Sequence, residues 1–269
     1  MPSFTRTLCV HFPREQWPGW RIAELNLRSS QPPPPPQSRE SDSDSGSDSD
    51  SDSPYKLRKD STRLTVSVDP DTCTDYGSDS PVFRAFVTRD DRSRTLSSNE
   101  LLSVCHPKTS IALKFALRED LVDDLVQEAQ VYEGALRSLQ GGVVPRCYGL
   151  FTGIGSEGQE IACLALEFWG ESLTAPFKTL PIDVRIRILD SLGELHRCGL
   201  HHGDFAERNV LINDNDIRII DFDQPVYHDC DSKTTFEFRS GVGQRIPDVT
   251  EFGCPALWEI CRSDMAIWG

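Results

Sequence analysis

Two short segments of this 269-residue chain carry oxygen ligands at spacings that chemistry can use. In His202-Gly203-Asp204-Phe205-Ala206-Glu207-Arg208-Asn209 an aspartate and an asparagine stand five residues apart. A short hairpin later, Ile219-Ile220-Asp221-Phe222-Asp223 sets a further aspartate after two β-branched residues. Carboxylate and amide oxygens suit a hard cation such as Mg²⁺. Phosphoryl transfer from ATP needs such a set, because the transferred group carries charge and must be held in line with cations and an acceptor hydroxyl.

In order and spacing these segments resemble the catalytic loop, H-R-D-x-x-x-x-N, and the metal-binding loop, D-F-G, of the eukaryotic protein-kinase-like superfamily. The resemblance implies ATP and Mg²⁺ as cofactors, Asp204 as acceptor of the substrate hydroxyl proton, and Asn209 and Asp221 as Mg²⁺ ligands. A nucleotide site also needs a cation on the α- and β-phosphates, and a lysine buried on a strand must be neutralised and aimed by a carboxylate. Ala112-Leu113-Lys114 resembles the V-A-I-K strand of kinases, with Lys114 in the lysine's place. Glu128 is the expected partner, since it follows Leu125 by three residues and precedes Tyr132 by four, beside the inward stripe of a helix.

Elsewhere the pattern departs from the family. Counted back from Val82, the glycine-rich loop falls on residues 75–82 and keeps only Gly77, the one place left for backbone amides to approach phosphate, while Asp75 and Asp79 add negative charge. Gly153-Ile154-Gly155-Ser156-Glu157-Gly158 also spells G-x-G-x-x-G, but it lies between two expected strands with no helix after it and reads as a hairpin turn. Leu166-Glu167-Phe168-Trp169-Gly170 takes the place of the hinge that contacts adenine, with Glu167 and Trp169 as its candidates; Trp169 either stacks there or is a buried structural tryptophan.

Gly203 replaces the arginine of H-R-D, which argues against control through a phosphorylated activation loop. Ala206 replaces the lysine typical of Ser/Thr kinases, and Arg208 resembles the A-A-R-N arrangement of tyrosine kinases, where it would bring positive charge to the γ-phosphate. Asp223 replaces the glycine of D-F-G and adds a carboxylate near the metals, either weakening catalysis or serving as an extra ligand. His202 is read as an anchor of the loop and His201 as a packing or surface residue.

The elements that must position these residues follow from periodicity. Strands are expected at Leu8–Phe12, Leu64–Val68, Val82–Val87 and Ser110–Phe115, then near 147–151 and 160–166. A helix from about Glu119 to Leu139 should stop at Gly141-Gly142, and a second should run from Pro181 to Gly199. The polar stretch 88–108 reads as a loop. Few residues follow Asp223, no clear A-P-E motif appears, and Cys254-Pro255-Ala256-Leu257-Trp258-Glu259 with Trp268 reads as one closing apolar helix.

A net charge of -14 argues against a nucleic-acid or anionic-membrane binder. Part of that charge is local to the Ser-Asp run 41–52, which with Pro32 to Pro36 cannot build a core and is expected to be disordered. Its serines could be phosphorylated by an acid-directed kinase, against the simpler reading of a solvated spacer. The nine cysteines include no C-x-x-C pair, and no secretory segment precedes them, so reduced thiols fit better than disulfides or a zinc site. No apolar run approaches the length of a membrane span. A cytoplasmic or nuclear location is expected.

These features predict an α+β, two-lobed protein-kinase-like fold with a β-rich N-lobe and a shortened helical C-lobe. The expected divisions are an N-terminal extension at 1–30, the linker at 31–60, the N-lobe at 61–170 and the C-lobe at 171–269. In its compactness and its H-G-D loop the chain looks like the small, divergent kinase-like proteins of fungi and, more distantly, the aminoglycoside and choline phosphotransferases. The resemblance implies a phosphotransferase that moves the γ-phosphate to a hydroxyl, first on a protein and alternatively on a small molecule. A pseudokinase scaffold that binds without turnover is the competing class.

Overall fold

The computed structural model describes residues 7–12, 24–30, 63–69, 80–88, 109–155, 157–230 and 246–268. The linker at 31–60, Trp17 and Trp20, Gly77 with Asp75 and Asp79, and the loop after Thr88 lie outside the described residues.

The described residues form a mixed α+β structure with a sheet-rich N-terminal region. Its strands are β1 (Thr7–His11), β2 (Glu24–Ser29), β3 (Arg63–Val68), β4 (Val82–Thr88), β5 (Ser110–Ala116), β6 (Cys147–Ile154) and β7 (Glu160–Glu167), and they close into a barrel in the order β1-β2-β6-β7-β5-β4-β3. All neighbours are antiparallel except β1 and β3, where Thr7 lies beside Arg63 and His11 beside Ser67. β2 completes the ring by pairing Arg28 with Thr152. The stretch expected to be an extension thus contributes two strands to the barrel, and closure removes the open edges that β3 and β6 would otherwise present.

Alternation along β5 decides what faces where. Ile111, Leu113 and Phe115 point into the barrel, where Phe115, Phe83 and Phe12 meet at ring separations of 5.9 to 6.3 Å. Ala112 and Lys114 point the other way, onto helix α1 (Glu119–Glu133). β7 is buried on both faces, which its unbroken apolar run Ile161-Ala162-Cys163-Leu164-Ala165-Leu166 requires.

α1 is shorter than the expected 119–139. It stops at Gly134, whose N–H bonds to Gln130 O at 2.8 Å, and Arg137–Leu139 form a separate 3₁₀ turn. Glycine is a poor helix former, and Gln140 secures the break by donating to Tyr132 O at 2.8 Å and accepting from Cys147 N at 2.9 Å.

After β7 come β8 (Glu171–Ser172), α2 (Ile182–Arg197), β9 (Leu200–His201), β10 (Val210–Asn213), β11 (Asp216–Ile219) and β12 (Val226–Tyr227). β11, β10 and β8 form one small sheet, and β12 pairs with β9. A second apolar cluster joins α1 and α2 to the end of the chain through Tyr132, Ile188, Leu192, Phe222 and Leu257.

The single closing helix is replaced by α3 (Val249–Phe252), α4 (Pro255–Glu259) and a π turn at Ile260–Asp264. Asp248 and Glu251 form a capping box on α3. Gly253 ends that helix, and Pro255, which has no N–H to give, starts the next. Among the described residues no helix is long and apolar enough to cross a membrane.

Candidate active site

β5 and α1 bring Lys114 and Glu128 together, as helical spacing requires once the outer face of β5 is covered. Lys114 Nζ donates to Glu128 Oε2 at 2.7 Å and to Asp221 Oδ1 at 2.5 Å. Burial alone would lower the lysine pKa, but the carboxylates of Glu128 and Asp221 outweigh it and hold Lys114 above the usual lysine value, firmly protonated. Glu128 is only 1% exposed, and its Oε1 has no partner.

Asp221 reaches Lys114 because its backbone sits in the left-handed region at φ 71°, a conformation that aspartate tolerates better than most residues. The preceding backbone is clamped from two sides: Ile220 N donates to Asn209 O at 3.0 Å, and Ile220 O meets His202 Nε2 at 2.8 Å. Phe222 is fully buried, edge-on to Tyr132 at 5.7 Å and tilted against His202 at 4.9 Å.

The loop carrying Asp204 is pinned at several points. Phe205 stacks on Phe177 at 5.0 Å, and Glu207 accepts from Phe177 N at 2.9 Å. Asn209 Nδ2 donates to Asp204 O at 2.9 Å, which leaves its amide oxygen as the free acceptor. Asp204 is ion-paired with Arg208. Burial, and then the charge of Asp221, push the Asp223 carboxyl above its usual range, with Asp204 adding to the effect. This gathering of carboxylates is an environment that a divalent cation relieves.

His202 anchors the loop through the Ile220 carbonyl, which places its proton on Nε2 and leaves Nδ1 buried without a partner. Burial depresses its pKa below 6.5 against the opposing pull of Ile220 O and Asp221. The unfolded chain therefore takes up this proton first, so the stability from His202 is full above pH 6.5 and falls as pH drops below it. The expected slope is up to about 1.4 kcal/mol per pH unit. Urea midpoints between pH 7 and pH 5 should fall less steeply in His202→Gln than in the wild type.

Of the hinge candidates, Glu167 accepts from Arg218 Nη1 at 2.5 Å and from Arg146 N at 3.2 Å. Trp169 lies under the Arg218 guanidinium at 4.2 Å. Arg218, only 8% exposed, also caps Gly141 O at 3.1 Å, so this one side chain of β11 ties the Glu167–Trp169 segment to the strand leading into Asp221. The sequence does not mark it, because Ile217-Arg218-Ile219 alternates as a half-buried strand whose arginine would face solvent. The hairpin reading of residues 153–158 holds, since β6 and β7 pair up to Ile154 and Glu160. The structure thus gathers Lys114, Glu128, Asp221, Asp204, Asn209 and Arg208, sets Glu167 and Trp169 against Arg218, and does not describe Gly77.

Residues 182–239 match the family model of the RIO domain. The match runs from α2 through the Asp204 loop to beyond Asp223; Lys114 and Glu128 precede it. No curated protein matches the chain. RIO kinases are atypical kinases that bind ATP, and they belong to the protein-kinase-like superfamily, so the segment that holds Asp204, Asn209 and Asp221 is similar to a kinase-like one.

Proposed function

We propose that this chain is an ATP- and Mg²⁺-dependent phosphotransferase that moves the γ-phosphate to a hydroxyl on a protein. The observation that carries the reading is Lys114 held between Glu128 and Asp221, residues distant in sequence that phosphoryl transfer needs in one place. Lys114 meets the phosphates and Glu128 aims it. The donor set fits Mg²⁺: Asp221 and the free amide oxygen of Asn209 are hard ligands, with Asp223 close enough to feel their charge. Mg²⁺ held there would neutralise phosphate charge, while Asp204 would take the hydroxyl proton and Arg208 beside it would meet the charge of the transferred group.

The two apolar clusters are read as the cores of two lobes, the first starting at β1 rather than at residue 61. A pseudokinase scaffold is the second reading, favoured by the third carboxylate at Asp223 and by the Lys114 contact that occupies an oxygen of Asp221. A small-molecule acceptor is the remaining enzymatic alternative.

Thermal unfolding with and without Mg²⁺-ATP is the first test. At a hundredfold excess over the dissociation constant, the nucleotide is expected to stabilise the wild type by about 2.7 kcal/mol, and Asp221→Asn is expected to lose the Mg²⁺-dependent part. A cooperatively folded wild type with no shift would overturn both enzymatic readings and leave the scaffold. A shift without transfer to proteins or small alcohols would favour the scaffold.

A further inference from the structure

Away from the Lys114 site, four side chains from three separate segments converge behind the Asp204 loop. His196 lies in the last turn of α2, His228 and Cys230 follow β12, and Cys254 stands before α4. One ligand atom from each lies within 4.8 Å of the other three. His196 Nδ1 is 2.9 Å from His228 Nε2 and 3.5 Å from Cys254 Sγ. In a tetrahedron with Zn–N near 2.0–2.1 Å and Zn–S near 2.3 Å, the N···N and N···S edges are about 3.3 Å and about 3.5 Å. The 3.5 Å N···S spacing matches its edge, whereas the 2.9 Å N···N contact, a hydrogen bond between the two rings, is about 0.4 Å shorter than its own.

We infer that His196, His228, Cys230 and Cys254 form a structural Zn²⁺ site. Two imidazoles and two thiols select zinc over the hard cations that suit Asp221 and Asn209. All four positions come from the protein, which marks a closed structural site rather than a catalytic one with an open position. His196 and Cys254 are buried, and His228 and Cys230 are half-buried, so the ion would sit at the edge of the core. The other such cluster among the described residues, Cys9, His11 and Glu24, has the Arg63 guanidinium 3.0 Å from its sulfur and offers no comparable cation site.

The site explains two features of the chain. The apolar elements after Asp223 are short, and a metal cross-link between α2, the segment after β12 and the start of α4 would add to the order that their packing supplies. It also stands directly behind the loop of the candidate active site. The His201 ring is 5.5 Å from His196, and β9, which leads into His202, pairs with β12 just before His228. The absence of C-x-x-C pairs, which favours reduced thiols over zinc in the sequence, does not bear on ligands that only folding brings together.

The test uses the full chain with any affinity tag removed, and it is independent of phosphotransfer. Elemental analysis is expected to find about one zinc per chain. Co²⁺ in its place is expected to give tetrahedral d–d bands and thiolate-to-cobalt charge transfer. Cys230→Ser, at a half-buried position that disturbs packing least, is expected to lose much of that charge transfer and to bind Zn²⁺ at least about 10-fold more weakly. Chelation is expected to lower the melting temperature of the wild type. A folded wild-type chain that takes up neither Zn²⁺ nor Co²⁺ would overturn the site, as would a cobalt spectrum unchanged in Cys230→Ser or a Cys230–Cys254 disulfide found by thiol alkylation.

Discussion

Lys114→Met is expected to cost about 3–5 kcal/mol of folding stability, because it leaves Glu128 buried without its cation. The ammonium has two carboxylate partners, but they are not equal. The Asp221 side chain is 31% exposed and can turn to water, whereas that of Glu128 is 1% exposed and its second oxygen is already unpaired. Burial pushes the Glu128 pKa up even with Lys114 present, so without the lysine the group must take up a proton or remain charged in the core. The double variant Lys114→Met/Glu128→Gln should therefore recover much of the loss. Urea denaturation of the two variants checks this. Equal destabilisation would mean that the cost comes from packing around the lysine stem and not from a stranded charge.

Gly203→Ala is expected to lose about 3 kcal/mol, a large effect for one methyl group. Part is conformational: Gly203 has φ 81°, a region that costs other residues roughly 1–2 kcal/mol. The rest is steric, since a Cβ at this position would lie 1.9 Å from the backbone oxygen of Gln224, which must move. Gly158 separates the two contributions. It has φ 83° and nothing within 4 Å of the corresponding Cβ, so Gly158→Ala bears the conformational cost alone. Thermal or urea unfolding of both variants should give a clearly larger loss at position 203, and equal losses would remove the steric account. The same contact explains why the loop reads H-G-D. The arginine of the family pattern would meet the chain just after Asp223, so Gly203→Arg is expected to be at least as damaging as the alanine.

Much of the candidate site is legible because it depends on local periods. The two-residue period of β5 turns Lys114 away from the barrel core, and the helical period of α1 turns Glu128 towards it. The ends of elements are less legible. Gly134 and not Gly141 stops α1, because the chain needs to turn early for Gln140 to bridge Tyr132 and Cys147. Near the end of the chain, apolar composition suggests one helix, whereas the capping box at Asp248 and Pro255 divide it. The alternation of Leu25 and Leu27 in β2 is a strand signal that a reading of 1–30 as an extension passes over, and its partner β6 is too distant in sequence for local pattern to find.

The sequence by itself determined the residue types and spacings of the Asp204 loop and the Asp221 segment, the strand of Lys114 and the helix of Glu128. These are encoded within a few residues, where backbone geometry fixes which side chains share a face. Only the tertiary structure decided the barrel closure through β1 and β2, the use of Arg218 to hold Glu167 and Trp169, the exclusion of a side chain at Gly203, and the meeting of His196, His228, Cys230 and Cys254. Each of these depends on contacts between segments far apart along the chain, formed by packing and long-range pairing that no local period records.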